Sequence, residues 1–205
     1  MERITTAVVL FRHAELLDFA GPINVFTAVR LDPTQSWNET ESPFDVWTVA
    51  ERREPVETWG GTLLLPRASF EDVPPPRLLV VPGGWGTRSE VHNKRLVRWL
   101  REAARGADLV TSVCTGSFLL AQAGLLAGKS ATTHWASIER MRKTFSDIDV
   151  REETAYVEDG NVITSAGILN GVQLALYVVE RLFGKDTARR AARHLEFDLP
   201  AYPRP

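Results

Sequence analysis

The chain has 205 residues, of which 44% are hydrophobic and 24% are charged, values typical of a globular protein and not of a disordered chain. The formal net charge of −2 argues against a basic surface for nucleic acid or anionic lipid. A single cysteine excludes an internal disulfide and a cysteine-rich zinc site, and it suits a reducing cytoplasm. We find no targeting segment and no apolar run of the roughly 18 residues that span a bilayer, so a cytoplasmic protein without membrane contact is expected.

Strand-like and helix-like patterns alternate from the start of the chain. A β-branched run is followed by apolar residues at helical spacing, and Pro22 fits the first turn of that helix because its missing N–H costs nothing there. The predicted elements of this half are a strand at 5–11, a helix starting near Asp18 or Gly21, a polar loop at 32–43, and strands at 44–50 and 60–66.

The pattern is clearest in the second half. Residues 78–81 form a continuous apolar run, as expected of a strand buried on both faces of a parallel sheet. The other predicted elements are helices at 94–105, 114–126, 167–184 and 185–195, a strand at 107–113 and a hairpin over 154–165 with an Asp-Gly turn. This order predicts a mostly parallel α/β sheet in a single domain, 1–205, with a Pro-rich tail at about 198–205.

Cys114 lies where a predicted strand meets a predicted helix. Ser112 and Gly116 flank it in the pattern small–x–nucleophile–x–Gly, which is typical of a nucleophile elbow. A sulfur at a helix start faces unpaired N–H groups, so we expect a reactive thiol with a depressed pKa. The alternative is a buried structural cysteine, but the strand–elbow–helix context favours reactivity.

Two other side chains are candidates for proton chemistry. His134 follows Cys114 by 20 residues and is either a base for the thiol or a histidine hydrogen-bonded at a strand end. Asp18 is flanked by apolar residues, so its burial predicts a raised pKa and a role as proton carrier. The alternative for Asp18 is the N-cap of a helix that begins near Gly21.

A glycine-rich turn follows the strand at 78–81. The backbone N–H groups of Gly83 and Gly84 would lie at the carboxyl end of a parallel strand, where they could bind an oxyanion. The alternative is a turn without further function. No nucleotide-binding glycine motif occurs in the chain.

Four strings carry a resemblance to a known family: LLDFAGP, LLVVPGGWGTR, LVTSVCTGSFLLAQAGLLAGKSATTHW and VITSAGILNGVQLAL. In order and spacing they resemble the ThiJ/PfpI superfamily, the DJ-one/PfpI branch of the class I glutamine-amidotransferase-like proteins, over about residues 4–197. Within it, the chain is most similar to the isocyanide hydratases and to the domain that precedes the DNA-binding domain of AraC-type regulators.

The resemblance implies a doubly wound α/β sandwich with helices on both faces of the sheet, and a homodimer. It implies that Cys114 is the nucleophile, that Asp18 is the acid beside it, and that the Thr115 N–H joins Gly84 in an oxyanion hole. It also implies that His134 lies near the cysteine and that no metal or organic cofactor is needed.

The activity implied by the resemblance is hydration of a small isocyanide to an N-substituted formamide. The alternatives are a PfpI-like hydrolase, peptidase or glyoxalase-type enzyme, with His134 in a larger role, and a non-catalytic domain that senses small molecules or oxidants. In one family string the chain has Asn170 in place of a small residue and Gln173 in place of an acid. These two residues and Trp85 are the candidate substrate-pocket positions.

Overall fold

The fold is built from strands and helices that alternate along the chain. The computed structural model describes residues 2–34 and 41–197. The strands are β1 Ile4–Val9, β2 Phe44–Ala50, β3 Val56–Glu57, β4 Leu63–Leu64, β5 Ala68–Ser69, β6 Leu78–Val81, β7 Leu109–Val113, β8 Ser130–Ala131, β9 Asp149–Val150, β10 Tyr156–Asp159 and β11 Val162–Ser165. The helices are α1 Leu16–Ala28, α2 Thr87–Glu90, α3 Lys94–Arg105, α4 Gly116–Gln122, α5 Ile138–Thr144, α6 Asn170–Phe183 and α7 Lys185–His194, and a 3-10 turn spans Trp135–Ser137.

A seven-stranded sheet has the order β10-β11-β7-β6-β1-β2-β5. Every neighbouring pair is parallel except the β10–β11 hairpin. The chain moves from β1 to β2 in one direction and from β6 to β7 in the other. Because such crossovers are right-handed, α1 and α3 lie on opposite faces of the sheet. The sheet is therefore the doubly wound α/β sandwich that the resemblance implies, and the order of the strands reverses between β1 and β6, where ligands bind in such sheets.

The two central strands carry the core. All residues of β6 and β7 are buried, as the apolar run at 78–81 predicts. On one face α1, α6 and α7 pack together, and α3 packs against α4 on the other. The amphipathic helix predicted at 94–105 has the predicted bounds and buries Leu96 and Leu100. Burial of a leucine side chain contributes about 1.5–3 kcal/mol, so this face fixes where α3 lies.

The first helix starts earlier than the sequence predicts. It begins at Leu16, so Asp18 lies inside its first turn, and the reading of Asp18 as an N-cap is wrong. Pro22 falls in the second turn and not in the first. The cause is tertiary, since the Glu15 N–H donates to the Gly83 carbonyl at 2.9 Å and holds the start of the helix against the end of β6.

Two other boundaries differ from the prediction. The strand predicted at 60–66 is reduced to Leu63–Leu64, which pairs with β3 in a separate hairpin. The helix predicted at 114–126 ends at Gln122, since Gly124 adopts a positive φ of 76°.

Part of the predicted loop at 32–43 and the tail at 198–205 lie outside the described residues. Among the described helices, none combines the length and apolarity needed to cross a bilayer.

Candidate active site

Cys114 occupies a strained turn at the end of β7. Its φ is 55°, a left-handed conformation that costs a residue with a Cβ about 1–3 kcal/mol. Hydrogen bonds hold the turn in place. The Cys114 N–H donates to the Ser165 carbonyl at 3.1 Å, and the Cys114 carbonyl accepts from the hydroxyls of Ser117 at 3.1 Å and Thr133 at 3.0 Å. The elbow predicted from the sequence is therefore present, and Cys114 at its tip is 7% exposed.

Two glycines allow the backbones around the elbow to approach each other closely. A Cβ on Gly116 would lie 2.2 Å from the Val81 carbonyl oxygen, and a Cβ on Gly83 would lie 2.5 Å from the Thr115 nitrogen. Real Cβ atoms do not come this close to backbone atoms. The small residue two positions after the cysteine is thus required by the contact between the start of α4 and the end of β6.

The Asp18 carboxyl is completely buried beside the thiol. Its Oδ2 accepts a hydrogen bond from the Gly83 N–H at 2.9 Å, while Oδ1 has no partner of ordinary hydrogen-bond geometry in the described part of the chain. Burial raises the pKa of Asp18 from 3.8 to about 7, against the lowering effect of hydrogen bonds from Gly83 and Cys114. The raised pKa agrees with the expectation from its apolar neighbours in the sequence.

The expectation of a depressed thiol pKa is wrong. Burial, followed by the nearby Asp18 charge, raises the pKa of Cys114 to about 12, although hydrogen bonds from the Thr115 N–H and hydroxyl lower it. The unpaired N–H groups at the start of α4 would lower the thiol pKa. Their effect is outweighed because the sulfur is shielded from water and faces a carboxylate. The thiol is therefore protonated at neutral pH, with the Asp18 carboxyl beside it.

The amides expected to form an oxyanion hole already have partners in this conformation. The Gly83 N–H donates to Asp18, and the Gly84 N–H donates to the Thr115 hydroxyl at 3.1 Å. The two glycine amides thus position the acid and the residue after the cysteine. The backbone N–H and the hydroxyl of Thr115 hydrogen-bond to the sulfur and lower the pKa of Cys114, and the thiol in turn hydrogen-bonds to Asp18.

His134 is placed near the elbow but is engaged elsewhere. Its Nδ1 accepts from the Ala136 N–H at 3.3 Å, which caps the 3-10 turn that follows. Its ring packs against Gly167, where a Cβ would lie 2.6 Å from the ring carbon Cδ2. Partial burial lowers the pKa of His134, so the ring is neutral at pH 7.

The three candidate pocket residues lie in different surroundings. Trp85 is 54% exposed and stacks on Trp59, with ring centroids 5.7 Å apart. Asn170 opens α6 and donates from its side chain to the Ala155 carbonyl at 3.4 Å. Gln173 has a buried Oε1 without a hydrogen-bond partner in the described residues. None of the three contacts the thiol through a hydrogen bond identified in the structure.

Three residues that the sequence analysis missed act on this site. Glu15 raises the pKa of both Asp18 and Cys114 by its charge. The Thr87 hydroxyl donates to the Thr115 hydroxyl at 3.0 Å, and Arg140 interacts electrostatically with the Cys114 thiolate. The position of Glu15, three residues before Asp18, is a sequence signal that could have identified it. No sequence pattern near Arg140 indicates a role at the site, because α5 brings this residue to the elbow only in the folded chain.

Comparison with known proteins shows which family this chain resembles. The DJ-1/PfpI family model matches residues 5–181. The isonitrile hydratase of Pseudomonas putida is 36% identical over 194 residues, which are 95% of this chain and 78% of that protein. The HTH-type transcriptional regulator CdhR of Pseudomonas aeruginosa is 37% identical over 93 residues, 45% of this chain and 27% of the regulator.

Among solved structures, a ThiJ/PfpI family protein from Pseudomonas syringae superposes with a TM-score of 0.85 at 28% identity, covering 100% of this chain and 78% of that one. The family match spans most of the elements described above, from β1 into α6. This chain therefore belongs to the DJ-1/PfpI family.

Proposed function

We propose that the protein is a cysteine-dependent hydratase that converts a small isocyanide and water to an N-substituted formamide. The observation that carries the proposal is the fully buried Asp18 carboxyl, with a pKa of about 7, against the Cys114 thiol. A group with this pKa exchanges a proton readily in both directions near neutral pH, which is what addition followed by hydrolysis requires. The similarity to the isonitrile hydratase over 95% of the chain supports the same reaction.

In the first step, ionised Asp18 takes the Cys114 proton as the sulfur attacks the terminal isocyanide carbon. The S–H bond breaks and an S–C bond forms, and Asp18 passes the proton to the same carbon. The product is a thioimidate, R–N=CH–S–Cys, in which no net charge has been gained or lost. Hydrogen bonds from Thr115 to the sulfur favour its thiolate character during the attack.

In the second step, water adds to the thioimidate carbon. Asp18 accepts one proton of the water and passes it to the substrate nitrogen, so that the tetrahedral intermediate R–NH–CH(OH)–S–Cys forms. Its collapse breaks the S–C bond, returns a proton to the sulfur and releases R–NH–CHO. Burial of the site excludes all but the reacting water, which strengthens each of these electrostatic contacts.

A binding domain without turnover is the second candidate function. The similarity to the regulator CdhR over 45% of this chain favours it, because a regulator needs a ligand site and not a reaction. The hydrolase reading has less support, since it requires His134 to act on the thiol while Nδ1 of that ring is held by Ala136. A homodimer and a cytoplasmic location remain predictions from the sequence.

The test is a steady-state assay with cyclohexyl isocyanide in which formamide is followed, with glyoxal and a peptide as parallel substrates. We expect formamide from the wild-type protein and none above background from Cys114→Ala or Asp18→Ala. Thr27→Ala, on an exposed position of α1, is the matched control and should keep wild-type activity. Hydration that survives Cys114→Ala would refute the covalent route, and the absence of any turnover would favour the binding domain.

A further inference from the structure

A second feature near the elbow is a cavity of about 260 Å³ between α2, α4 and α5. Its walls are apolar in part, with Val91, Phe118 and Phe145, and they carry the guanidinium groups of Arg88 and Arg140. Among the residues that the structure describes, no aspartate or glutamate lines it. The cavity is thus a small, partly apolar space with a positive wall.

The cavity adjoins the nucleophile through α4. Phe118 stands at the first turn of this helix, and its N–H donates to the Thr115 carbonyl at 3.1 Å. Thr87, another lining residue, is hydrogen-bonded to the Thr115 hydroxyl. The Arg140 guanidinium lies 4.2 Å from the centre of the Phe118 ring. Two residues that line the cavity, Thr87 and Phe118, are therefore in contact with Thr115, the residue next to Cys114.

The two arginines have no counter-charge. Neither Arg88 nor Arg140 forms an ion pair within residues 2–34 and 41–197, and the buried Nε of Arg140 has no hydrogen-bond partner there. Arg88 rests on the Trp85 ring at 3.8 Å. Burial and the neighbouring Arg88 charge lower the pKa of Arg140. By contrast Arg142, two residues on, pairs with Glu139 at 2.9 Å and with Glu152 at 3.2 Å.

Arg88 is exposed, and the half-buried Arg140 donates to the Ser137 hydroxyl at 3.5 Å. An anion that binds between the two guanidinium groups is attracted by both charges. Guanidinium groups match carboxylates in shape and can donate two parallel hydrogen bonds. We propose that Arg88 and Arg140 bind the carboxylate of a small substrate whose electrophilic carbon reaches Cys114. The identity of the electrophile rests on the proposed hydratase function, whereas the anion-binding site is a separate claim with its own test.

The first test uses alkylation of Cys114 and needs no turnover. Iodoacetate and 4-(iodomethyl)benzoate are each compared with the corresponding amide at pH 7.5. Each reagent forms an S–C bond, expels iodide and leaves the thiol proton with Asp18 and then water. Because Asp18 and Glu15 repel an anionic reagent, a preference for either acid over its amide can come only from a positive group nearby.

We expect one of the two acids to react faster than its amide, and we expect this ratio to fall about tenfold or more in Arg140→Gln and in Arg88→Gln, since each removes half of the carboxylate site. Any effect of the substitutions on the thiol itself changes the rates with acid and amide alike and divides out of this ratio, and continued alkylation by the amides shows that the variants fold. Arg142→Gln, on the same helix, should leave every ratio unchanged. Wild-type ratios that favour both amides, or ratios that do not change in the two variants, would overturn the proposal.

The second test distinguishes the two proposals. Isocyanoacetate is compared with its methyl ester, and Arg140→Gln is expected to raise KM for the acid about tenfold relative to the KM for the ester, while any effect on kcat through the thiol is the same for both substrates. If both isocyanides are hydrated equally well and Arg140→Gln changes neither, the carboxylate site is refuted and the hydratase stands. If no isocyanide is hydrated while the alkylation preference is observed, the hydratase is refuted and the carboxylate site stands.

Discussion

Two cavities open at the carboxyl edge of the sheet, and the larger of them is the less informative. It measures about 500 Å³ and lies at the ends of β1 and β2, under the β3–β4 hairpin. Most of its charged side chains have partners within the structure. Arg12 pairs with Glu57 at 3.5 Å, Glu51 pairs with Arg95 at 3.3 Å, and the Asn93 side chain donates to Glu51 and Glu90.

The smaller cavity, of about 260 Å³, has the opposite character. Its two arginines lack counter-charges in the described residues, and its lining residues Thr87 and Phe118 are hydrogen-bonded to Thr115, the residue after the strained cysteine. Volume measures only how much room the packing leaves. Unsatisfied charge beside a nucleophile marks a place where the fold accepts an energetic cost, and such costs concentrate at functional sites. The experiments below perturb one region and use the other as the reference.

The largest effect is expected from Gly116→Ala. The new Cβ would meet the Val81 carbonyl oxygen at 2.2 Å, so α4 must move away from β6 and the elbow must shift with it. We expect a loss of about 3 kcal/mol in the free energy of unfolding, measured by urea denaturation, together with loss of Cys114 alkylation at neutral pH. Gly106→Ala, where a Cβ would meet nothing within 4 Å, is the control and should change stability by less than about 1 kcal/mol.

Asp18→Asn is expected to stabilise the protein while impairing the site. An acid whose pKa is raised by folding keeps its proton longer in the folded chain, so stability falls as pH rises from about 4 to about 7 and the cost persists above that range. The displacement of the pKa from 3.8 to about 7 corresponds to about 4 kcal/mol at most.

The amide variant keeps an oxygen for the Gly83 N–H and does not pay this cost. Its melting temperature should therefore exceed that of the wild type at pH 8, and the gain should disappear near pH 4. Asp147→Asn, at an exposed acid, provides the control and should show no such pH-dependent gain. A variant less stable than wild type at pH 8 would contradict the assigned burial cost.

The pH profile of Cys114 alkylation by iodoacetamide tests the link between the two groups. Because ionised Asp18 must accept the thiol proton, the wild-type rate should rise up to about pH 7 and then level off. Asp18→Asn should lose the break near pH 7 and react about 10-fold to 100-fold more slowly at pH 7.5. A wild-type rate already constant below pH 6 would indicate a thiolate of depressed pKa and would contradict this coupling.

The smallest effect is expected in the larger cavity. The Asn93 side chain caps α3 by accepting from the N–H groups of Arg95 and Leu96. Asn93→Ala should therefore lower the free energy of unfolding by about 1 kcal/mol. Alkylation rates of Cys114 should remain those of the wild type. A changed alkylation rate would show that the two cavities are coupled, and the contrast between them would not hold.

Local patterns were sufficient for much of the fold. The apolar run at 78–81, the amphipathic helix at 94–105 and the Asp-Gly hairpin all lie where the sequence predicts them. Predictions failed where a distant contact overrides a local preference. Helix α1 starts at Leu16 because Glu15 is tied to Gly83, and the strand predicted at 60–66 is shortened because it pairs only with β3.

At the site, the sequence by itself predicted the elbow and the buried acid, while the resemblance to a known family implied that Asp18 lies beside Cys114. Small residues around Cys114 permit the elbow, and an aspartate among apolar residues predicts a buried acid of raised pKa. The direction of the thiol pKa, the partners of the Gly83 and Gly84 amides and the arrival of Arg140 were decided by the tertiary structure. The physical reason is that residues from α1, β6, α4 and α5 together bury the sulfur and set the charge around it. These elements are far apart in the sequence, so no single stretch of sequence predicts the combined effect.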